Sequence, residues 1–215
     1  LSCGTQRGGY MVEALEHLLP AETTEPIILS ASSLPQTVNI GKNNKRAWVE
    51  ASAVTLGDGA TVSRIEADTI QAGYKNRFDI AIARLTLSAG WSLSAETIVA
   101  PTLNLFGGLK VDTLATKSAK FGPDGQINIM YLLPEGEAVF GPESTINHLF
   151  IGPRVKMIHL GKASIVYEVS AVSGAAEISS DDDVQIFKET KINDALFAIG
   201  LQEMLRKAAE NRGSV

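Results

Sequence analysis

Between Trp48 and Val172, short alternating apolar runs keep returning, and each closes in a turn of small residues. Val54-Thr55-Leu56 leads into Gly57-Asp58-Gly59, Ile70-Gln71-Ala72 into Gly73, and Leu85-Thr86-Leu87 into Ser88-Ala89-Gly90. Leu103-Asn104-Leu105 leads into Phe106-Gly107-Gly108, and Ala119-Lys120-Phe121 into Gly122-Pro123-Asp124-Gly125. Ala138-Val139-Phe140 then meets Gly141-Pro142-Glu143, and Ile158-His159-Leu160 meets Gly161-Lys162. Counted from Leu56 through Ala72, Leu87, Leu105, Phe121, Phe140 and Leu160, the intervals are 16, 15, 18, 16, 19 and 20 residues. That length suits one coil of a β-solenoid, in which short strands and corners repeat and inward side chains stack coil on coil. The recurrence predicts an all-β fold, a short-coil β-helix spanning residues 48–178.

Composition fits a narrow stacked interior. The chain has 19 glycines but only 13 aromatic residues. Small aliphatics fill a thin core, and the corners call for Gly, Asn, Asp or Pro where φ leaves the strand region. The alternative is an antiparallel β-sandwich, which needs tight hairpins. Only Asp58-Gly59 and Asp124-Gly125 carry that two-residue signal. A net charge of −5 disfavours gripping nucleic-acid phosphates. The single Cys excludes an intrachain disulfide and a multi-Cys zinc cage.

The segment Ala53-Val54-Thr55-Leu56-Gly57-Asp58-Gly59-Ala60-Thr61-Val62, with the coil length and small-residue corners, resembles the bactofilins over about residues 48–172. Bactofilins are bacterial scaffold proteins built on a short-coil right-handed β-helix with polar tails. The resemblance implies end-to-end or lateral self-assembly. Bactofilin coils are more regular than Phe121–Tyr167 here, and their tails lack so long a terminal helix.

Residues 1–47 read as a tether with a short helix, Tyr10–Leu19, whose Met11, Leu15, Leu18 and Leu19 share a face before Pro20 stops it. Leu1-Ser2-Cys3-Gly4 matches the end of a lipoprotein signal, making Cys3 a candidate lipid anchor. Gly8-Gly9-Tyr10-Met11-Val12-Glu13 resembles a prepilin cleavage site, but the apolar helix that should follow is broken by Glu16, His17 and Pro20. No stretch approaches the roughly 20 apolar residues that span a bilayer. Lys42, Lys45 and Arg46 give a turn a positive tip suited to an acidic partner.

Residues 179–215 read as an acidic turn followed by an amphipathic helix. Asn193 is a good N-cap, Asp194 suits the first turn, and Glu203–Lys207 is an i,i+4 pair. Phe197, Leu201, Met204, Leu205 and Ala208 form an apolar stripe, and Gly213 marks the stop. Such a helix either covers the open end of the solenoid or docks a partner. Phe197, Leu201, Met204 and Leu205 are the candidate partner contacts.

Chemistry is sparse. His148 and His159 fall where hexapeptide acyltransferases place a catalytic His, but no six-residue rhythm surrounds them, and His159 reads as an outward strand position. Glu66, Asp68 and Glu96 are the carboxylates a β-helix glycosidase or lyase would need, yet no pair falls into register from sequence. Asp181-Asp182-Asp183 lacks the alternating spacing of a Ca²⁺ loop. No phosphate loop or nucleophile elbow occurs. Trp48 and Trp91 read as packing residues or, alternatively, as carbohydrate platforms.

The expectation is a non-enzymatic scaffold or assembly subunit acting through its solenoid surface, without catalytic residues, metal or cofactor. Its expected partners are copies of itself or other proteins of a bacterial cell envelope, with a membrane reached only through a lipid anchor. A cytoplasmic scaffold is the alternative setting. An adhesin-like or carbohydrate-binding module and a minor pilin-like subunit are the competing functions.

Overall fold

The computed structural model describes residues 37–210. Thirteen strands form one continuous sheet: β1 (Thr37–Ile40), β2 (Lys45–Leu56), β3 (Thr61–Ala72), β4 (Arg77–Trp91), β5 (Ser94–Gly107), β6 (Lys110–Lys120), β7 (Gln126–Phe140), β8 (Thr145–Ile151), β9 (Met157–Leu160), β10 (Ile165–Val172), β11 (Ile178–Ser180), β12 (Gln185–Ile186) and β13 (Glu189–Ile192). The helix α1 (Asp194–Glu210) follows. Strands of successive coils pair in parallel, residue over residue, from Ile40↔Leu56 to Val172↔Ile192. The fold is therefore a β-solenoid. The sandwich reading fails because that architecture requires antiparallel hairpins.

Every inward position is stacked on its equivalent one coil away. Leu56, Ala72, Ala89 and Leu105 form one such column, and Phe140 over Leu160 continues it. Phe121 and Phe140 stack with ring centroids 4.7 Å apart. The column corrects one anchor, since Ala89 rather than Leu87 stands in line. A register shift in β4, where Thr69 pairs Thr86 although Ala67 pairs Ala83, inserts one residue and pushes Leu85 out to solvent. An odd insertion defeats simple interval counting because the side-chain period is two.

The repeated corner has two distinct columns. In one, Gly41, Gly57, Gly73, Gly90, Gly122, Gly141 and Gly161 follow an inward aliphatic or aromatic residue. Backbones of neighbouring coils touch there. A Cβ on Gly122 would stand 1.8 Å from the Phe106 carbonyl oxygen, and one on Gly141 would stand 2.4 Å from the Gly122 carbonyl carbon. Two residues later the chain turns left-handed, at Asn43, Gly59, Lys75, Ser92, Gly108, Asp124, Glu143, Ala163 and Asp183. Only two of these nine are glycine. Gly, Asn and Asp, the residues expected where φ leaves the strand region, fill five of the nine; most corner glycines serve close approach instead. The left-handed residue is held by its amide, as in Asn43 N–H to Asp58 O at 2.9 Å and Glu143 N–H to Lys162 O at 2.9 Å.

The coils also pass both boundaries read from the sequence. β1 already pairs with β2 ahead of residue 48, and Lys45 and Arg46 are strand residues rather than turn residues. Beyond residue 178, β12 and β13 complete a further coil against β10. Asp181–Asp183 is a corner of that coil, with Asp183 in the left-handed position, and not a break between domains.

Candidate functional site

The terminal helix forms as its sequence dictates. The Asn193 side chain accepts the Leu196 amide at 2.8 Å, and Glu203 meets Lys207 at 3.7 Å. Its apolar stripe, however, neither covers the solenoid end nor awaits a partner. Phe197, Leu201 and Met204 are buried, and Leu205 is packed beside them, against the chain's own lateral face. That face is a column of outward apolar residues: Ile82, Val99, Ala115, Tyr131 and Phe150. From Phe197 to Ala208 the helix advances about 17 Å. From β7 to β3 the face climbs four rungs, about 19 Å. The helix lengths and rungs match, so each helical turn meets a fresh coil. The partner assignment of Phe197, Leu201, Met204 and Leu205 is corrected accordingly: an exposed apolar column on the same chain is always nearer than a partner.

Both ends of this seam are secured. Phe197 meets Tyr131 edge to face at 6.0 Å. Gly200 lets the helix approach, because a Cβ there would stand 2.8 Å from the Tyr131 hydroxyl. Burial pushes the Tyr131 phenol above its ordinary value. At the far end, buried Arg64 donates to Glu66 Oε1 at 2.6 Å and to the Ala208 carbonyl at 2.7 Å. Its guanidinium also lies 5.6 Å from the Trp48 ring centroid. A cation at the helix C-terminus complements the negative end of the dipole. Glu66 thus serves docking. Asp68 pairs with Arg84 at 3.4 Å.

His148 and His159 are strand residues with outward, hydrogen-bonded rings. His148 stacks on Phe150 at 3.9 Å and meets Ser170 Oγ at 2.9 Å. Burial lowers its pKa, against the opposing pull of Glu168, with a smaller lowering contribution from Lys188. His159 lies between Ser179 Oγ, 3.1 Å from Nδ1, and Asp181 Oδ1, 3.4 Å from Nε2. This has the membership of a nucleophilic triad but not its wiring. Ser179 Oγ also lies 2.9 Å from the Ile158 carbonyl, which competes with His159 for its hydroxyl hydrogen.

Two grooves mark the surface. The larger, about 420 Å³, runs across β4 to β8 and mixes Arg77 and Lys110 with Glu96 and Asp112. Glu96, a singleton in the sequence reading, stands in register with Asp79 and Asp112. The column continues as an amide ladder, Asn128 donating to Asp112 at 2.7 Å and Asn147 to Asn128 at 2.9 Å. It ends in Tyr167 stacked on Phe187, 5.4 Å apart and exposed. Among the described residues no group of three or more His, Cys, Asp or Glu side chains is arranged to hold a metal ion.

The smaller groove, about 290 Å³, lies at the repeated corner and is walled by Tyr74, Trp91 and Phe106 with Gln71 and Ser88. Trp91 belongs to it, whereas Trp48 faces Arg64 on the helix side. Tyr74 and Phe106 had no signal in one dimension beyond their place at corners. Cys3, the Gly8–Glu13 segment and the Tyr10–Leu19 helix lie outside the described residues. Comparison with known protein families, curated proteins and solved structures returned no match to this chain.

Proposed function

We propose that this chain is a non-enzymatic assembly subunit that associates head to tail through the open end of its solenoid. The observation carrying this reading is the last coil. Among the described residues β11, β12 and β13 pair on one side only, and Ile178, Val184 and Ile186 are only half-buried at the end of the core. An uncovered strand edge invites pairing. The helix that could have covered it is spent on the flank.

Charge favours a second copy as the occupant. The last corner is Asp181-Asp182-Asp183, and the first described corner carries Lys42, with Lys45 and Arg46 just beyond it. In every internal corner the left-handed amide reaches the next coil's carbonyl, as Ala163 N–H does to Asp182 O at 3.1 Å. Stacking a second copy continues that series, giving the Asp183 amide the Lys42 carbonyl and setting Asp182 over Lys42. The resemblance to bactofilins points the same way. Anchoring at Cys3 would hold such an assembly on a membrane of the bacterial envelope; fatty-acid labelling that disappears in Cys3→Ser tests that part.

Sedimentation velocity across a concentration series tests the assembly. Mass should rise with concentration, fall with added salt, and stay monomeric in Ile186→Lys and Asp182→Lys. A wild-type chain that remains a monomer throughout overturns the reading.

A further inference from the structure

We propose that the corner groove of Tyr74, Trp91 and Phe106 binds a neutral polysaccharide, one sugar ring per coil. This inference is independent of the assembly reading.

Three of the chain's 13 aromatic residues stand here on three consecutive coils, all exposed, Phe106 at 69%. Their placement is built. Trp91 lies over Gly107: three consecutive atoms of its six-membered ring are each 2.9–3.0 Å from where a Cβ would stand. Near-equal distances to three adjacent ring atoms put that point over the ring face, not beyond its edge. The indole is therefore flat on the backbone and presents its other face outward. Tyr74 approaches Gly90, its Cδ2 3.6 Å from the corresponding point. The Tyr74 amide is fixed by Asp58 Oδ1 at 2.9 Å.

A second ladder runs beside the rings. Gln71, Ser88 and Asn104 are in register on the same three coils. Each coil thus offers one exposed aromatic side chain and one neutral polar side chain, repeated at about 4.8 Å along the axis. That is close to the length of one pyranose unit in an extended glycan. A sugar ring presents what this surface lacks, an apolar C–H face for the aromatic and hydroxyls for the amide or hydroxyl.

The walls also select against charge. No residue lining the groove is ionisable except the Tyr74 phenol, although a fifth of the chain is charged. A single-stranded nucleic acid would stack equally well on such rings, but its phosphates find no cation in these walls. A neutral ligand with a short repeat remains.

The test uses the full chain, with cellohexaose and chitohexaose as probes and polygalacturonate as the charged control. Titration is followed by tryptophan fluorescence and calorimetry. At least one neutral oligosaccharide should shift the Trp91 emission, its affinity should climb from disaccharide to trisaccharide and then level, and the charged control should bind no better. Trp91→Ala and Phe106→Thr should each weaken binding about tenfold. Phe106→Thr should leave the unfolding midpoint unchanged because the ring is exposed. Absence of binding at millimolar oligosaccharide overturns the proposal, as does wild-type affinity retained in both variants. It is also overturned if protein concentration alone produces the Trp91 shift, which would make the groove a contact between copies.

Discussion

The coils up to β6 and those from β7 onward obey the same corner but differ in length. Early coils repeat every 16 or 17 residues, later ones every 19 or 20. The difference is local. Thr116 pairs Leu132 while Ser118 pairs Glu137, so three extra residues enter between them, and one more enters on the next coil. They build a second corner on the plan of the first. Glu135 and Arg154 take the left-handed position, Glu135 N–H reaches Pro153 O at 3.1 Å, and Arg154 pairs with Glu135 at 3.1 Å. Gly122-Pro123-Asp124 and Gly141-Pro142-Glu143 at the old corner are echoed by Gly152-Pro153-Arg154 at the new one. A solenoid accepts length where a turn can grow outward, and refuses it where backbones touch.

The strongest way to break this comparison is to fill the shared corner. Gly122→Ala and Gly141→Ala should each cost more than about 4 kcal/mol or prevent folding, because the added methyl meets backbone rather than a movable side chain. Urea unfolding monitored by circular dichroism checks this, and a loss below about 1 kcal/mol would show that the coils can separate.

The helix ties the two regions together, and its ends can be cut separately. Phe197→Ala, on the side of the longer coils, should cost about 3–5 kcal/mol. Arg64→Ala, on the side of the shorter coils, should cost about 3 kcal/mol because it strips charge-assisted bonds from buried Glu66 and from the helix end. Hydrogen exchange should show the amides nearest the cut opening first.

A milder change sharpens the contrast between corners. Gly174 has φ +81° with nothing within 4 Å of a Cβ, so only conformation limits it. Gly174→Ala should cost about 1–2 kcal/mol, well below Gly141→Ala.

The smallest expected effect is a pH dependence in the longer coils. Burial holds His148 below its ordinary 6.5, with Glu168 opposing and Lys188 assisting. Near pH 6 the unfolded chain then binds more protons than the folded one. Stability should be full above 6.5, decline as pH falls through that value, and level off below the lowered folded value. The loss should be less than about 1 kcal/mol, since the ring is partly solvated. His148→Phe should remove the slope.

Much of this architecture was readable in one dimension. The corner residues announce themselves because most of the touching backbones carry glycine, and the inward aliphatics because they share a narrow interior. The insertion at Arg84-Leu85 misled the count, since a single extra residue leaves composition unchanged. Gly152-Pro153-Arg154 carried the second corner openly but interrupted the expected interval. The helix stripe declared that it is buried, not against what. Gln71, Ser88 and Asn104, or Tyr74, Trp91 and Phe106, are 16 or so residues apart, and nothing local links them.

The coil length, the places of its corners and the helix are legible along the chain because all arise from contacts within a rung or between adjacent rungs. Which outward residues form ladders, and that the helix lies along the flank rather than over the last coil, emerge only on folding. Those depend on stacking, where register accumulates over many coils and one inserted residue changes every alignment beyond it.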